Sequence, residues 1–178
     1  RETGKYGKGV FAKEKIKKDE TLIVMGGYVL TLEDDNNLRG VVAEKPIDIS
    51  DIFFIGPRKP SDLELMPQHY VNHSCNPNAG FKGQIFMVAM KNIKKNEEIF
   101  YDYAMVMNSY PSSNSYFKME CKCGSKNCRK IITEDDWELP VLQKKYNGYF
   151  QFFLQERIMG KHSKIERGDS KKKVPWKK

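Results

Sequence analysis

Apolar residues along this chain come in short alternating runs, separated by charged or glycine-containing turns. That rhythm belongs to half-buried strands rather than to helices, whose apolar positions recur every three to four residues. It predicts strands over Val10 to Ala12, Thr21 to Met25, Tyr28 to Leu32, Ile47 to Ile55, Gln84 to Met90 and Glu97 to Tyr103. Gly26-Gly27 allows a bulge or a close backbone approach. Residues 33–46 are polar and read as irregular, and Asp62 to Met66 reads as a short helical turn. Residues 108–115 read as a loop. The pattern changes near the end. Thr133-Glu134-Asp135-Asp136 puts acids where a helix starts, and Pro140 opens another helical turn. Tyr149, Phe152, Phe153 and Ile158 then have helical spacing up to Gly160. The fold class that follows is mainly β (α+β), with helices towards the C-terminal end.

Composition narrows the class. With 178 residues, 39% of them hydrophobic and 30% charged, the chain can bury the core of one globular unit. No apolar run reaches membrane-spanning length and no signal-peptide pattern is present, so an intracellular protein with no membrane partner is expected. The net charge of +8 is unevenly placed: residues 160–178 hold eight Lys/Arg against two acids, a net +6, which leaves +2 for the rest. This tail reads either as a solvated basic run or as a nucleic-acid contact.

Four cysteines carry the first chemistry. Cys75 lies in Asn72-His73-Ser74-Cys75-Asn76-Pro77-Asn78, while Cys121, Cys123 and Cys128 cluster far downstream. A Cys-x-Cys pair with a third cysteine nearby, in an intracellular-looking chain, favours metal over disulfides. A tetrahedral zinc site takes four ligands, so one ion would pin the late segment onto the 72–78 loop. Asn76-Pro77-Asn78 forms the turn there.

Four pieces occur in one order: Gly7-Lys8-Gly9-Val10-Phe11-Ala12, the 72–78 stretch, Glu97-Glu98-Ile99-Phe100-Tyr101-Asp102-Tyr103, and the three-cysteine segment. Together, over roughly residues 4–133, they resemble a SET-domain protein lysine methyltransferase with a post-SET zinc module. The resemblance implies small β-sheets in which a later strand threads under a loop as a pseudoknot. With the helical pattern and the basic run described above, the chain divides into a SET core (1–110), a post-SET zinc module (116–133), C-terminal helices (134–159) and a basic tail (160–178). The resemblance implies S-adenosylmethionine as cofactor, held by the backbone of Lys8 and Gly9, by Tyr70, by Asn72 and His73, and covered by Ile131 or Ile132. It makes Tyr103 the catalytic tyrosine with Tyr101 beside it, and Cys75, Cys121, Cys123 and Cys128 the ligands of one structural zinc.

The implied substrate is a protein with a lysine-bearing flexible tail, a histone foremost. A monomer is expected, in the nucleus of a eukaryotic or host cell and otherwise in the cytoplasm. Three positions depart from the family pattern. His69-Tyr70 stands where the family often has Arg-Phe, and Asn96 stands for a glycine. Met25-Gly26-Gly27 stands for Tyr-x-Gly, which removes one lysine-channel tyrosine unless Tyr28 replaces it.

The implied reaction is an in-line displacement in which alignment is the main task. A free lysine has a pKa of about 10.4, so neutralising it near pH 8 costs roughly 3 kcal/mol. An apolar channel and a nearby sulfonium both lower that pKa. A phenol at Tyr101 narrows the channel end, so mono- and dimethylation are expected. Two rival readings are a zinc-stabilised binding module without activity and a methyltransferase of a non-histone protein.

Overall fold

The computed structural model describes residues 1–5, 7–43, 45–108, 115–160 and 174–175. The basic-tail reading falls almost wholly outside them. Along the chain, β1 (Thr21–Val24) and β2 (Tyr28–Thr31) lead into helix α1 (Leu32–Asn37). Next come β3 (Ile47–Asp48), β4 (Phe53–Gly56), β5 (Asn72–His73), β6 (Ala79–Lys82), β7 (Phe86–Ala89) and β8 (Phe100–Tyr101). β9 (Ser115–Tyr116), β10 (Lys118–Glu120) and β11 (Ile131–Thr133) precede helices α2 (Pro140–Lys145) and α3 (Phe152–Ile158). A last pair, β12 (Val174–Pro175), lies parallel to β9.

These strands form small separate sheets. One has the order β1-β7-β6, another β2-β4-β3, and β10 pairs antiparallel with β11. β5 and β8 pair in parallel, Asn72 against Phe100 and His73 against Tyr101. The mainly β expectation with late helices holds.

Several elements differ from the pattern-based expectation, each for a local reason. Residues 33–46 are not irregular throughout: Thr31 caps α1, accepting from Asp34 N at 3.2 Å while Asp34 Oδ2 accepts from Thr31 N at 2.9 Å. This capping box was readable as Thr-x-x-Asp followed by acids. Ile47 to Ile55 is two strands, because Ser50 Oγ accepts from Phe53 N at 3.0 Å and turns the chain. Ala79–Lys82 is a strand without a clear alternating signal. Glu97 to Tyr103 is strand only at Phe100–Tyr101; Asp102 then caps a 3-10 turn over Tyr103–Met105. Thr133 ends β11 rather than starting a helix, and a 3-10 turn follows at Asp136–Glu138.

Met25, Phe81, Met87 and Tyr101 share one buried core with Trp137, Leu142, Tyr146, Phe150 and Leu154. Residues 134–159 therefore pack into the core beside the strands. Gly27 has φ 142°, and a Cβ there would lie 2.8 Å from the Gly56 carbonyl oxygen, so the close approach of β2 to β4 requires a glycine.

Candidate active site and cysteine cluster

The 72–78 loop and the 97–103 segment are laced together. Ser74 N donates to Tyr101 O at 3.0 Å, and Asn78 N donates to Phe100 O at 3.2 Å. Asn78 is buried, and its side chain completes the lace: Oδ1 accepts from Phe100 N at 2.8 Å, and Nδ2 donates to Glu98 O at 2.8 Å and to Glu97 Oε1 at 3.1 Å. Phe100–Tyr101 thus lies between two parts of one loop, the crossing the pseudoknot requires.

His73 joins this crossing to the tyrosines. Tyr103 N donates to His73 Nδ1 at 3.2 Å, which leaves the ring proton on Nε2, 3.4 Å from Cys75 Sγ. Burial pushes the imidazole down to about 4 against the pull of Asp102, so His73 is neutral. Its ring centroid is 5.1 Å from that of Tyr103, and Tyr101 is also 5.1 Å from Tyr103. Phe117, from the cysteine-bearing segment, closes a third side at 6.3 Å. Burial, with the Tyr103, Asp48 and Asp102 oxygens nearby, raises the Tyr101 phenol well above its ordinary range, so it stays protonated. Tyr28 does not join this group: it is half-exposed, under the Arg58 guanidinium at 4.6 Å. Met25 is buried in the same core as Tyr101.

Cys75, Cys121, Cys123 and Cys128 bring their four sulfurs within 4.8 Å of one another. A zinc ion with Zn–S bonds of about 2.3 Å sets tetrahedral sulfur–sulfur edges of about 3.8 Å. The Cys75–Cys121 separation is 3.8 Å, so the donor set fits such an ion. Burial pushes the Cys75 thiol up to about 11 and Cys121 higher still; a bound dication would let these sulfurs ionise. At Cys123 burial acts upward too, but the Ser125 hydroxyl and backbone N–H groups outweigh it and bring the thiol down to about 6. Cys75 Sγ also faces Arg129 N at 3.4 Å. The sequence-expected ligands are all brought together.

On the other side of Tyr103 lies a buried ionic network that sequence reasoning missed. Arg129 grips Asp102 with two bonds, each 2.6 Å, and Tyr146 OH donates to Asp102 Oδ2 at 2.8 Å. Arg129 Nε donates to Asp136 Oδ2 at 2.9 Å. Burial works to raise the Asp102 carboxyl, but the Arg129 guanidinium and the Tyr146 hydroxyl overcome it and hold it below the usual carboxylate range. A signal for the pair existed: unlike charges sit directly beside the last cysteine and beside Tyr103.

The residues expected to hold a cofactor divide into two groups. A cleft of about 670 Å³ is lined by Lys8, Gly9, Val10, Leu63 and Tyr70 among others. Asn72, His73, Ile131 and the two tyrosines, Tyr101 and Tyr103, do not line it. Asn72 Nδ2 donates to Lys8 O at 3.1 Å and to Glu98 Oε1 at 2.9 Å, tying the glycine-rich stretch to the crossing. Gly9 is buried, and a Cβ there would meet Glu98 Oε1 at 2.3 Å and Asn72 Nδ2 at 3.0 Å. His69, at the expected guanidinium position, is turned inward: its ring faces Lys45 O at 2.8 Å and Gly26 O at 3.2 Å. Ile131 is 42% exposed, whereas Ile132 is buried against Cys75 and Cys121, so only Ile131 has a face to offer a ligand.

A family model described as SET domain matches residues 7–104, more than half of the chain. The chain belongs to the SET domain family. Its matched segment contains the glycine-rich stretch, the crossing and Tyr103. Histone-lysine N-methyltransferase SUV39H1-A of Danio rerio is 26% identical over 162 residues, covering 71% of this SET-domain chain and 38% of that protein. Histone-lysine N-methyltransferase Su(var)3-9 of Drosophila melanogaster is 30% identical, with 71% and 23% covered. The crystal structure of KRYPTONITE in complex with mCHG DNA and SAH matches with a TM-score of 0.52 at 23% identity, over 73% of this chain and 27% of that one. This likeness speaks for the SET fold. The chain spans less than two-fifths of each of these relatives. Cys121, Cys123, Cys128, Arg129 and Tyr146 all lie beyond the matched SET segment.

Proposed function

We propose that this SET domain is a protein-lysine N-methyltransferase, moving a methyl group from S-adenosylmethionine to a lysine side chain, with a histone tail as substrate. The observation that carries the reading is the placement of Tyr103. Its backbone is bonded to His73 of the cofactor-type loop, and its ring stands 5.1 Å from that of buried Tyr101. A methyl acceptor brought beside Tyr103 would therefore lie near whatever the Lys8–Gly9 and Asn72–His73 segments hold. The relatives named above are histone-lysine N-methyltransferases, and KRYPTONITE was solved with SAH. Both facts support the reading.

S-adenosylmethionine, when bound, would supply an electrophilic methyl on a sulfonium. The chain's own part is alignment and dryness. The Lys8 and Gly9 backbone, Tyr70, Asn72 and His73 would hold the cofactor, with Ile131 over it. Tyr101, Tyr103 and Phe117 would wall the amine from water and favour its cationic product by cation–π contact. Tyr101 stays neutral, so it acts as a hydrogen-bonding group and not as a base. Cys75, Cys121, Cys123 and Cys128 would hold a structural zinc, for which their sulfurs are spaced.

The test is a radiolabelled methyl-transfer assay against core histones, with calorimetry for S-adenosylmethionine binding. Label in a histone lysine and saturable binding at one cofactor per chain are expected. Binding without transfer to any histone would remove the substrate assignment. Neither binding nor transfer would remove the enzyme.

Tyr101 governs the expected product. A phenol at the channel end can hold an ordered water where a further methyl would go, and expelling that water loses hydrogen bonds. The wild-type product is therefore mainly monomethyl-lysine with some dimethyl. Tyr101→Phe shifts the products to higher states at similar cofactor affinity. Mass spectrometry of a peptide over time checks this; abundant trimethyl-lysine from the unmutated chain would show that Met25 has already widened the pocket.

A further inference from the structure

We propose that Arg129 and Tyr146 are positioning residues for Tyr103: both grip Asp102, the carboxylate that caps the turn on which Tyr103 stands. The proposal rests on the methyltransferase reading of the Tyr103 site and adds to it two residues outside the matched SET segment.

Asp102 has no exposed surface, yet its acceptor sites are fully used. Oδ1 accepts from Ala104 N at 3.1 Å, closing the 3-10 turn of Tyr103–Met105. Arg129 NH2 reaches the same oxygen and NH1 reaches Oδ2, each at 2.6 Å. Tyr146 OH, from the residue that caps the C-terminal end of α2, adds a bond to Oδ2 at 2.8 Å. A carboxylate offers about four lone-pair sites, and here four donors occupy them. The planar fork of Arg129 fixes the plane of the carboxylate, and the Tyr146 hydroxyl adds a contact from a separate element. With Asp102 fixed, the turn that starts at Tyr103 cannot rotate. Its far end is also tied, by Gln151 N donating to Met105 O at 2.9 Å.

Arg129 is itself aimed from two sides. Its backbone N–H faces Cys75 Sγ, and its Nε donates to Asp136, whose Oδ1 accepts from Thr133 Oγ1 at 2.9 Å. A buried ion pair is a weak source of stability, since well-packed apolar residues often do as well. What apolar residues would not reproduce is the aim: a fork held at the cysteine cluster and directed at the residue before Tyr103. A SET core ending before the cysteines would hold the tyrosine without this grip.

The test uses the full metal-loaded chain. Tyr146→Phe removes one hydroxyl and keeps the ring. Arg129→Lys keeps the charge but loses the fork. Each variant is expected to lower kcat by about tenfold, while KM and cofactor Kd stay within about threefold and zinc stays at one per chain. The double variant is expected to fall no more than about threefold below the weaker single, because both residues act through Asp102. A lowered Tm with unchanged kcat in Tyr146→Phe makes the role merely structural and overturns the proposal. Losses that multiply in the double variant overturn the shared route through Asp102. Should Arg129→Lys fail to fold, Tyr146→Phe decides alone. If the unmutated chain transfers no methyl, the methyltransferase reading fails, and positioning is read without activity. The ζ-carbon NMR signal of Tyr103, assigned by its loss in Tyr103→Phe, moves in Tyr146→Phe if the grip holds; an unmoved signal overturns it.

Discussion

Tyr103→Phe should lower the turnover number by about 100-fold or more while leaving the fold and cofactor affinity nearly intact. The ring stays packed against Tyr101, His73 and Phe117 after the change. The anchors of the turn are unaffected, because they use the Tyr103 backbone N–H and the Asp102 carboxylate. Only one hydroxyl is lost. A preorganised hydrogen-bonding group at the reacting centre is worth about two to three orders of magnitude in rate when removed. Because the contact matters most in the transition state, kcat and kcat/KM should fall together. Single-turnover kinetics with calorimetry on the same preparation checks this. An unchanged turnover number would take Tyr103 out of its proposed role.

Cys75→Ser should lose zinc, loosen the 118–133 segment and weaken cofactor binding together. Cys75 is the one sulfur of the four on the crossing loop, two residues from His73, and it faces both the His73 ring and the Arg129 N–H. Metal affinity and the local fold are linked wherever the ligands come from distant parts of a chain. Changing even an outer partner of a metal site typically costs about 10- to 100-fold in affinity, and losing a ligand should cost at least that. Elemental analysis of fresh protein should give one zinc per unmutated chain and far less in the variant. Hydrogen exchange should speed up at β10 and β11, whose ends enclose the cysteines, before it does at β6 and β7. Zinc-free fresh protein, with its activity intact, would end the idea.

Much of the site was legible because its chemistry is carried by rare residues. Four cysteines with no partners to spare pointed to one cluster, and all four meet. The glycine at position 9 was singled out only through the family resemblance, and the structure shows what a side chain there would meet: the Asn72–Glu98 pair. Asn96 stands where the family has a glycine, and its φ of 67° is one that glycine and asparagine tolerate. What stayed hidden was long-range or too short for a periodic signal. β3, β5 and β8 are two residues each, so alternation cannot define them. The end of the strand before Tyr103 is set by the Asp102 side chain, a capping choice and not a hydrophobic one. Arg129 meets Asp102 across 27 residues and Tyr146 meets it across 44, contacts that no window of sequence displays. Helix α3 starts at Phe152 and not at Tyr149, whose carbonyl oxygen is taken by Phe81 N at 2.9 Å instead of opening a helix.

The lacing of Phe100–Tyr101 through the 72–78 loop also bears on the order in which the molecule assembles. Neither Ser74 nor Asn78 has its partner until the chain has returned from residue 100, so the loop cannot set into its final form by local contacts alone. Closing such distant contacts demands entropy before it returns any bonding, which slows folding. The loop that carries Asn72 and His73 and the strand that leads to Tyr103 become ordered in the same event. Until that event neither the 72–78 loop nor Tyr103 is held where the folded chain places it.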